Sequence, residues 1–192
     1  MRLPDRFERS ALSDRELTAW AERVVAQLRA RKVRLVLAES CTGGLAAALL
    51  ARIPGVSEFL CGSAVVYQVE TKARWLGVSR RLLRDPGPVS REVAAAMATG
   101  ALKSTPHADV AASVTGHLGP GAPPGQDGLV FVAFAARGSG KQPHVAVKKL
   151  ELSREAGDRN SKPPNRRLRR QRSAAVHLLD WILINVPKAS ES

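Results

Sequence analysis

Val33-Arg34-Leu35-Val36-Leu37-Ala38-Glu39-Ser40-Cys41-Thr42-Gly43-Gly44 leads straight into the Ala/Leu-rich run Leu45 to Ile53, which Pro54-Gly55 stops. Val33 to Ala38 is short and rich in aliphatic and β-branched residues, which predicts a buried strand. Leu45 to Ile53 predicts a helix. Between them lies a polar turn ending in two glycines. Strand, polar turn and helix together are the unit from which an α/β domain is built.

Working outward, the same alternation recurs. Upstream, Ser13-Asp14-Arg15-Glu16 has the Ser and Glu three apart that a capping box needs. Leu17, Trp20, Val24, Val25 and Leu28 then recur at helical spacing, predicting a helix to about Arg31. Downstream, Phe59 to Tyr67 reads as a strand, Glu70 to Leu76 as a helix ended by Gly77, and Ser79 to Leu83 as a short turn. Ser90 is placed to cap a helix from Arg91 to about Ser104. Asp109 to Thr115 reads as a third strand and runs into Gly116 to Gly125, too rich in Gly and Pro for regular structure. Leu129 to Ala136 and Val145 to Leu152 complete the strands. The expected fold is a single-domain, three-layer α/β/α sandwich with a mixed, mostly parallel sheet. It divides into a core over 12–158, a basic Pro/Arg-rich insert over 159–172 and a closing helix over 173–186. The apolar pattern of that helix starts near Leu168, and Pro163-Pro164 is read as blocking an earlier start.

Composition sets the bounds. The 192 residues suit one domain with a full core, and 44% are hydrophobic. Aromatics are only 4%, so Ala, Val and Leu must fill the interior. Cys41 and Cys61 make neither a disulfide framework nor a metal site and read as small buried hydrophobes. No run approaches the ~18 apolar residues that a membrane span needs. Met1 to Trp20 carries charge throughout, so a cytoplasmic address is expected. The net charge is +13, and Arg159, Lys162, Arg166, Arg167, Arg169, Arg170 and Arg172 lie in one acid-free stretch. Such a stretch is either a solvated insertion or a phosphate-binding patch open to nucleic acid.

Two turns follow predicted strands and can present backbone N–H groups to an anion: Glu39 to Gly44, and Thr115 to Gly125. Neither carries the glycine spacing of a dinucleotide fold or the Gly-Lys-Ser/Thr of a phosphate loop. Read alone, Ser40 and Thr42 serve as helix caps, Lys72 as a surface lysine, Tyr67 as a core residue with a wet hydroxyl, and Arg159 as one more member of the basic run.

In combination the segments resemble the CinA C-terminal family. Ala38 to Gly44 is similar to its signature turn, and Ile53-Pro54-Gly55-Val56-Ser57 to its next one. Val65-Val66-Tyr67 with Glu70-Thr71-Lys72, then Leu76-Gly77-Val78, Gly87-Pro88-Val89-Ser90, Val114-Thr115-Gly116 with Gly119-Pro120-Gly121, and Gly157-Asp158-Arg159 follow in the family's order.

The resemblance implies a serine amidohydrolase using a Ser–Lys pair, with no metal and no cofactor. Its studied members convert nicotinamide mononucleotide to nicotinic acid mononucleotide and ammonia. It implies Ser40 as nucleophile, with Ser57 as the second candidate, Lys72 as base and Tyr67 as proton relay or hydrogen-bond donor. Glu39, Thr42, Gly43, Gly44, Thr115, Gly116, His117 and Gly119 would contact the substrate, and Arg159 would hold its phosphate. N–H groups of the turns after Ser40 and Thr115 would stabilise the tetrahedral intermediate. A homo-oligomer is implied as well.

Three departures stand out. His117 occupies a position where the family commonly has an aliphatic residue, so it would touch the pyridine ring, stand in for a proton carrier or fill space. Ala122-Pro123-Pro124 replaces glycine, and Asn160 to Arg172 separates the Gly-Asp-Arg motif from the last helix. No counterpart of the extra pyrophosphatase domain of larger family members is expected here, nor its metal-dependent chemistry. The rival reading is a non-enzymatic protein of competence- or damage-inducible type that binds nucleotide or, through the basic insert, nucleic acid.

Overall fold

The computed structural model describes residues 12–138, 140, 142–152 and 163–187. Five strands form one sheet: β1 (Leu35–Glu39), β2 (Leu60–Val65), β3 (Val110–Gly116), β4 (Leu129–Ala136) and β5 (His144–Glu151), in the order β2-β1-β3-β4-β5. The pairs β1–β2 and β1–β3 are parallel, and β3–β4 and β4–β5 antiparallel. Four strands therefore point one way and β4 alone opposes them. This is the mixed sheet expected.

Helices cover both faces: every position of β1 is buried, and exposed positions fall on the edge strands β2 and β5. α1 (Asp14–Arg31), α2 (Leu45–Ala51) and α6 (Pro163–Asn185) pack over Leu35, Leu37, Val110, Ala112, Val114, Val130, Val132 and Phe134. α3 (Val69–Leu76), α4 (Arg80–Arg84) and α5 (Arg91–Ser104) pack over Val36, Ala38, Ala111, Phe131, Ala133 and Ala135. The period-two alternation sorts the side chains into these two cores. Small residues let α5 lie close: a Cβ added at Gly100 would meet the Leu76 carbonyl oxygen at 2.0 Å. Ser13 and Glu16 form the full capping box on α1, and Ser90 accepts from the Val93 N–H at the start of α5.

The closing helix departs from expectation. It begins at Pro163, not near Leu168 or residue 173, so much of the anticipated insert is its first turns. Proline at the start of a helix replaces N–H groups that have no intrahelical partner, so the Pro-Pro pair opens this helix and does not block it.

The fold also creates a crevice. β1 and β2 are neighbours, yet the chain leaves β1 for α2 on one face and leaves β2 for α3 on the other. The turns after adjacent parallel strands diverge, and that is where open α/β sheets receive ligands.

Candidate active site

Ser40 is the first residue beyond β1 and is 7% exposed. Its N–H continues the sheet by donating to the Val114 carbonyl at 3.0 Å, which fixes the backbone at the carboxyl edge. Lys72 lies one turn into α3. Helical side chains lean back towards the N-terminus, so its stem runs over the end of β2 towards Ser40. Its amine is 2.6 Å from Ser40 Oγ and donates to the Val66 carbonyl at 2.7 Å.

Lys72 is 1% exposed, and among the described residues no carboxylate bonds it. Burial without a counter-ion disfavours the charged form, and the pKa falls from 10.5 to about 8, with the neighbouring Cys41 sulfur opposing. The same burial pushes the Cys41 thiol up to about 12, with Lys72 opposing, so Cys41 stays protonated at neutral pH and is no competing nucleophile. Serine hydroxyl, neutralisable amine and a carbonyl that holds the amine in place make the constellation of an activated nucleophile.

A cavity of about 270 Å³ opens on this pair. Ser40, Cys41 and Lys72 lie at its floor side. Tyr67, Val69, Pro88, Val89, Arg167 and the loop from Thr115 to Ala122 complete its walls. The Thr115 hydroxyl donates to the Pro88 carbonyl at 2.9 Å, tying the loop after β3 to the segment before α5. His117 is half-buried on the wall, and burial holds its pKa below the usual histidine value against a hydrogen bond that the ring donates to Gln126 and the Asp127 charge. Tyr67 stands at the mouth, 56% exposed, and its hydroxyl accepts from the Arg167 guanidinium.

The other anticipated contacts are placed differently. Ser57 is exposed on a short 3-10 helix (Val56–Glu58) before β2, at the amino edge of the parallel strands. The length of β2, roughly 16 Å at ~3.3 Å per residue, separates it from the Ser40 edge. Glu39 is fully buried and away from the cavity lining. Its carboxylate accepts from the N–H groups of Ala46 at 3.1 Å and Ala47 at 2.9 Å, and from the Ser63 hydroxyl at 3.3 Å. It therefore caps α2, and the dipole expected to attract a ligand anion already faces this one.

Thr42 is buried too. Its carbonyl accepts from Gln171 at 2.8 Å, and its hydroxyl has no hydrogen-bond partner among the described residues. Gly44 starts α2 with φ of 95°, a conformation that glycine adopts without a Cβ penalty, and Gly43 precedes it at φ of 63°. Neither glycine lines the cavity. The N–H groups of Ser40, Gly43 and His117 are engaged by Val114, Ser40 and Leu129 carbonyls respectively, so those three are not free oxyanion donors. Arg159 lies outside the described residues. Among the described residues no group of three His, Cys, Asp or Glu side chains is arranged to hold a metal ion.

Arg167 is the wall residue that sequence reasoning missed, having been read only as part of the basic run. A helical start at Pro163 would have exposed it: the face of α6 that packs Ala174, Ala175 and Leu178 against the sheet turns Arg167 towards the crevice.

Residues 17–162 match the family model described as the CinA C-terminal domain. The chain belongs to the CinA C-terminal domain family. A CinA-like protein of Dictyoglomus thermophilum is 40% identical over 145 residues, 74% of this chain and 33% of that protein. One from Geobacter metallireducens is 50% identical over 103 residues, 53% of this chain and 25% of its own length. The chain thus spans about a third or less of these two curated CinA relatives. Two solved structures carry the same fold at 30% identity. The competence/damage inducible protein CihA from Agrobacterium tumefaciens superposes with a TM-score of 0.71, covering 90% of this chain and 98% of that one. A CinA superfamily protein from Escherichia coli does so with 0.70, covering 97% and 95%.

Proposed function

We propose that this CinA-family chain is a serine amidohydrolase that converts nicotinamide mononucleotide to nicotinic acid mononucleotide and ammonia. The reading rests on one observation above all, the buried Lys72 amine 2.6 Å from Ser40 Oγ. Ser40 is the nucleophile in preference to Ser57, which the fold keeps at the far edge of the sheet.

The chemistry follows from the contact. Protonated, Lys72 donates to Ser40. Once neutral, it turns its lone pair to the serine while an N–H remains on the Val66 carbonyl. Ser40 Oγ attacks the carboxamide carbon and its proton passes to Lys72. The lysine returns that proton to the departing nitrogen, and the C–N bond breaks to give ammonia and an ester on Ser40. Water, deprotonated by the same amine, then attacks the ester. The C–Oγ bond breaks, the serine regains its proton from Lys72, and the acid product leaves as the carboxylate after losing its remaining proton to water. Tyr67 accepts from Arg167 and so keeps its own O–H proton to donate into the cavity.

The test is ammonia release from nicotinamide mononucleotide without added metal. The expected result is turnover by the unaltered protein, and loss of at least about 10³-fold in Ser40→Ala and in Lys72→Met. Full turnover in both folded variants would overturn the mechanism.

A further inference from the structure

The cavity carries a charge pattern that the Ser40–Lys72 pair leaves unexplained. Its described lining includes two cations, Lys72 and Arg167, and no aspartate or glutamate. Lys72 is buried at the floor, whereas Arg167 is exposed at the mouth. The Arg167 stem lies beside Gly119 of the opposite loop, whose added Cβ would stand 3.9 Å from the Arg167 Cβ.

Its partner is equally telling. Two other arginines of α6 are neutralised within the fold: Arg170 by Asp127 at 2.6 Å and Arg172 by Asp14 at 2.9 Å. Arg167 bonds only a neutral phenol, that of Tyr67, and no carboxylate among the described residues answers its charge. The bond holds the planar guanidinium at the rim and leaves its other N–H groups for a second acceptor.

We propose that Arg167, oriented by Tyr67, is the specificity-determining cation of this pocket and binds the phosphomonoester end of the ligand while the carboxamide descends to Ser40. A guanidinium fork suits two phosphate oxygens. Seating the charged end at the wet mouth avoids burying a dianion and places the uncharged amide where Lys72 loses its proton. This deepens the amidase reading and rests on it for the kinetics, but not for the binding.

The experiment therefore has two arms. In the first, Ser40→Ala protein is titrated calorimetrically with nicotinamide mononucleotide and with nicotinamide riboside, which lacks the phosphate. The phosphorylated ligand is expected to bind about 10–100-fold more tightly, and Arg167→Gln in the same background to abolish that preference. Tyr67→Phe is expected to reduce it by a smaller factor, since the guanidinium remains but is no longer held. Persistence of the preference in Arg167→Gln, or no binding of either ligand, overturns the proposal.

In the second arm, the ratio of kcat/KM for the two substrates is measured for Arg167→Gln with Ser40 intact. A fall of about 10–100-fold supports the assignment, and an unchanged ratio overturns it. The two readings fail separately. Preferential binding without ammonia release removes the amidase and keeps the phosphate site. Ammonia release with an unchanged ratio does the reverse. Arg167 is exposed, so its replacement leaves the core intact, and an unchanged melting temperature checks this.

Discussion

Lys72 is the residue on which chemistry and stability meet. Its pKa of about 8 makes the rate follow the neutral amine, so kcat/KM is expected to climb with pH and level off above about 8. A profile already flat from pH 6 would contradict the assignment. The same shift acts on folding. The unfolded chain keeps this proton up to about 10.5 and the folded chain only to about 8, so between those values the unfolded state binds more protons. Stability therefore gains a rising contribution across that window, and below it the fold bears the cost of a buried charge. Replacing the amine by the apolar stem of Lys72→Met removes that slope. The variant should be inactive yet melt no lower than the unaltered protein at pH 7, even with Ser40 and the Val66 carbonyl losing a donor. Stability given up to hold an unfavourable group is a common cost of function.

Among the elements, β1 and α2 form a lock around the nucleophile. Glu39 ends the strand, Ser40 follows, and the Glu39 carboxylate reaches past the turn to the first amides of α2. Glu39→Ala leaves two helix N–H groups and the Ser63 hydroxyl without this acceptor in a buried place, and should cost about 2–4 kcal/mol. Glu39→Gln keeps one acceptor oxygen and should cost less, about 1–2 kcal/mol. Denaturant midpoints measure both, and near-zero effects would refute the lock.

This lock also explains why the site was only half legible in the sequence. The strand, turn and helix around Ser40 could be read from their periodicity, as could β4 and α5 to their last residues. Whether Glu39 looks outward to a ligand or inward to a helix depends on its direction at the strand end, which no local pattern encodes. Lys72 reads as a surface lysine because its burial comes from the elements packed over α3, not from its own helix. Pro163-Pro164 fits a helix start as well as a stop, and choosing the stop hid Arg167 inside a run of charges.

At the scale of the whole molecule, the basic run proves to be partly internal. Arg170 is buried against Asp127, and Arg172 ties α6 to α1 through Asp14 and the Leu12 carbonyl. That use of charge takes Arg170 and Arg172 out of any patch offered to phosphates, since paired arginines have less to give. Among the described residues no helix is long and apolar enough to cross a membrane. The packing of α6 also sets an acid limit. Burial and the nearby Lys148 lower the His177 pKa from 6.5 to about 4. Here the unfolded chain binds the extra proton between those values, so stability falls as pH drops from about 6.5 to 4, by up to about 3 kcal/mol. His177→Leu should flatten that decline in melting experiments. An unaltered decline would assign the acid sensitivity elsewhere.

α6 has one more consequence. It follows every other described element in chain order, yet it supplies both a wall of the pocket and the Ala174, Ala175, Leu178, Leu179 and Ile182 side of a core. A nascent polypeptide can thus emerge with serine and lysine already synthesised and still lack the rim that would retain a ligand. Competence arrives with α6, and a product shortened ahead of residue 163 should be both silent and prone to aggregate.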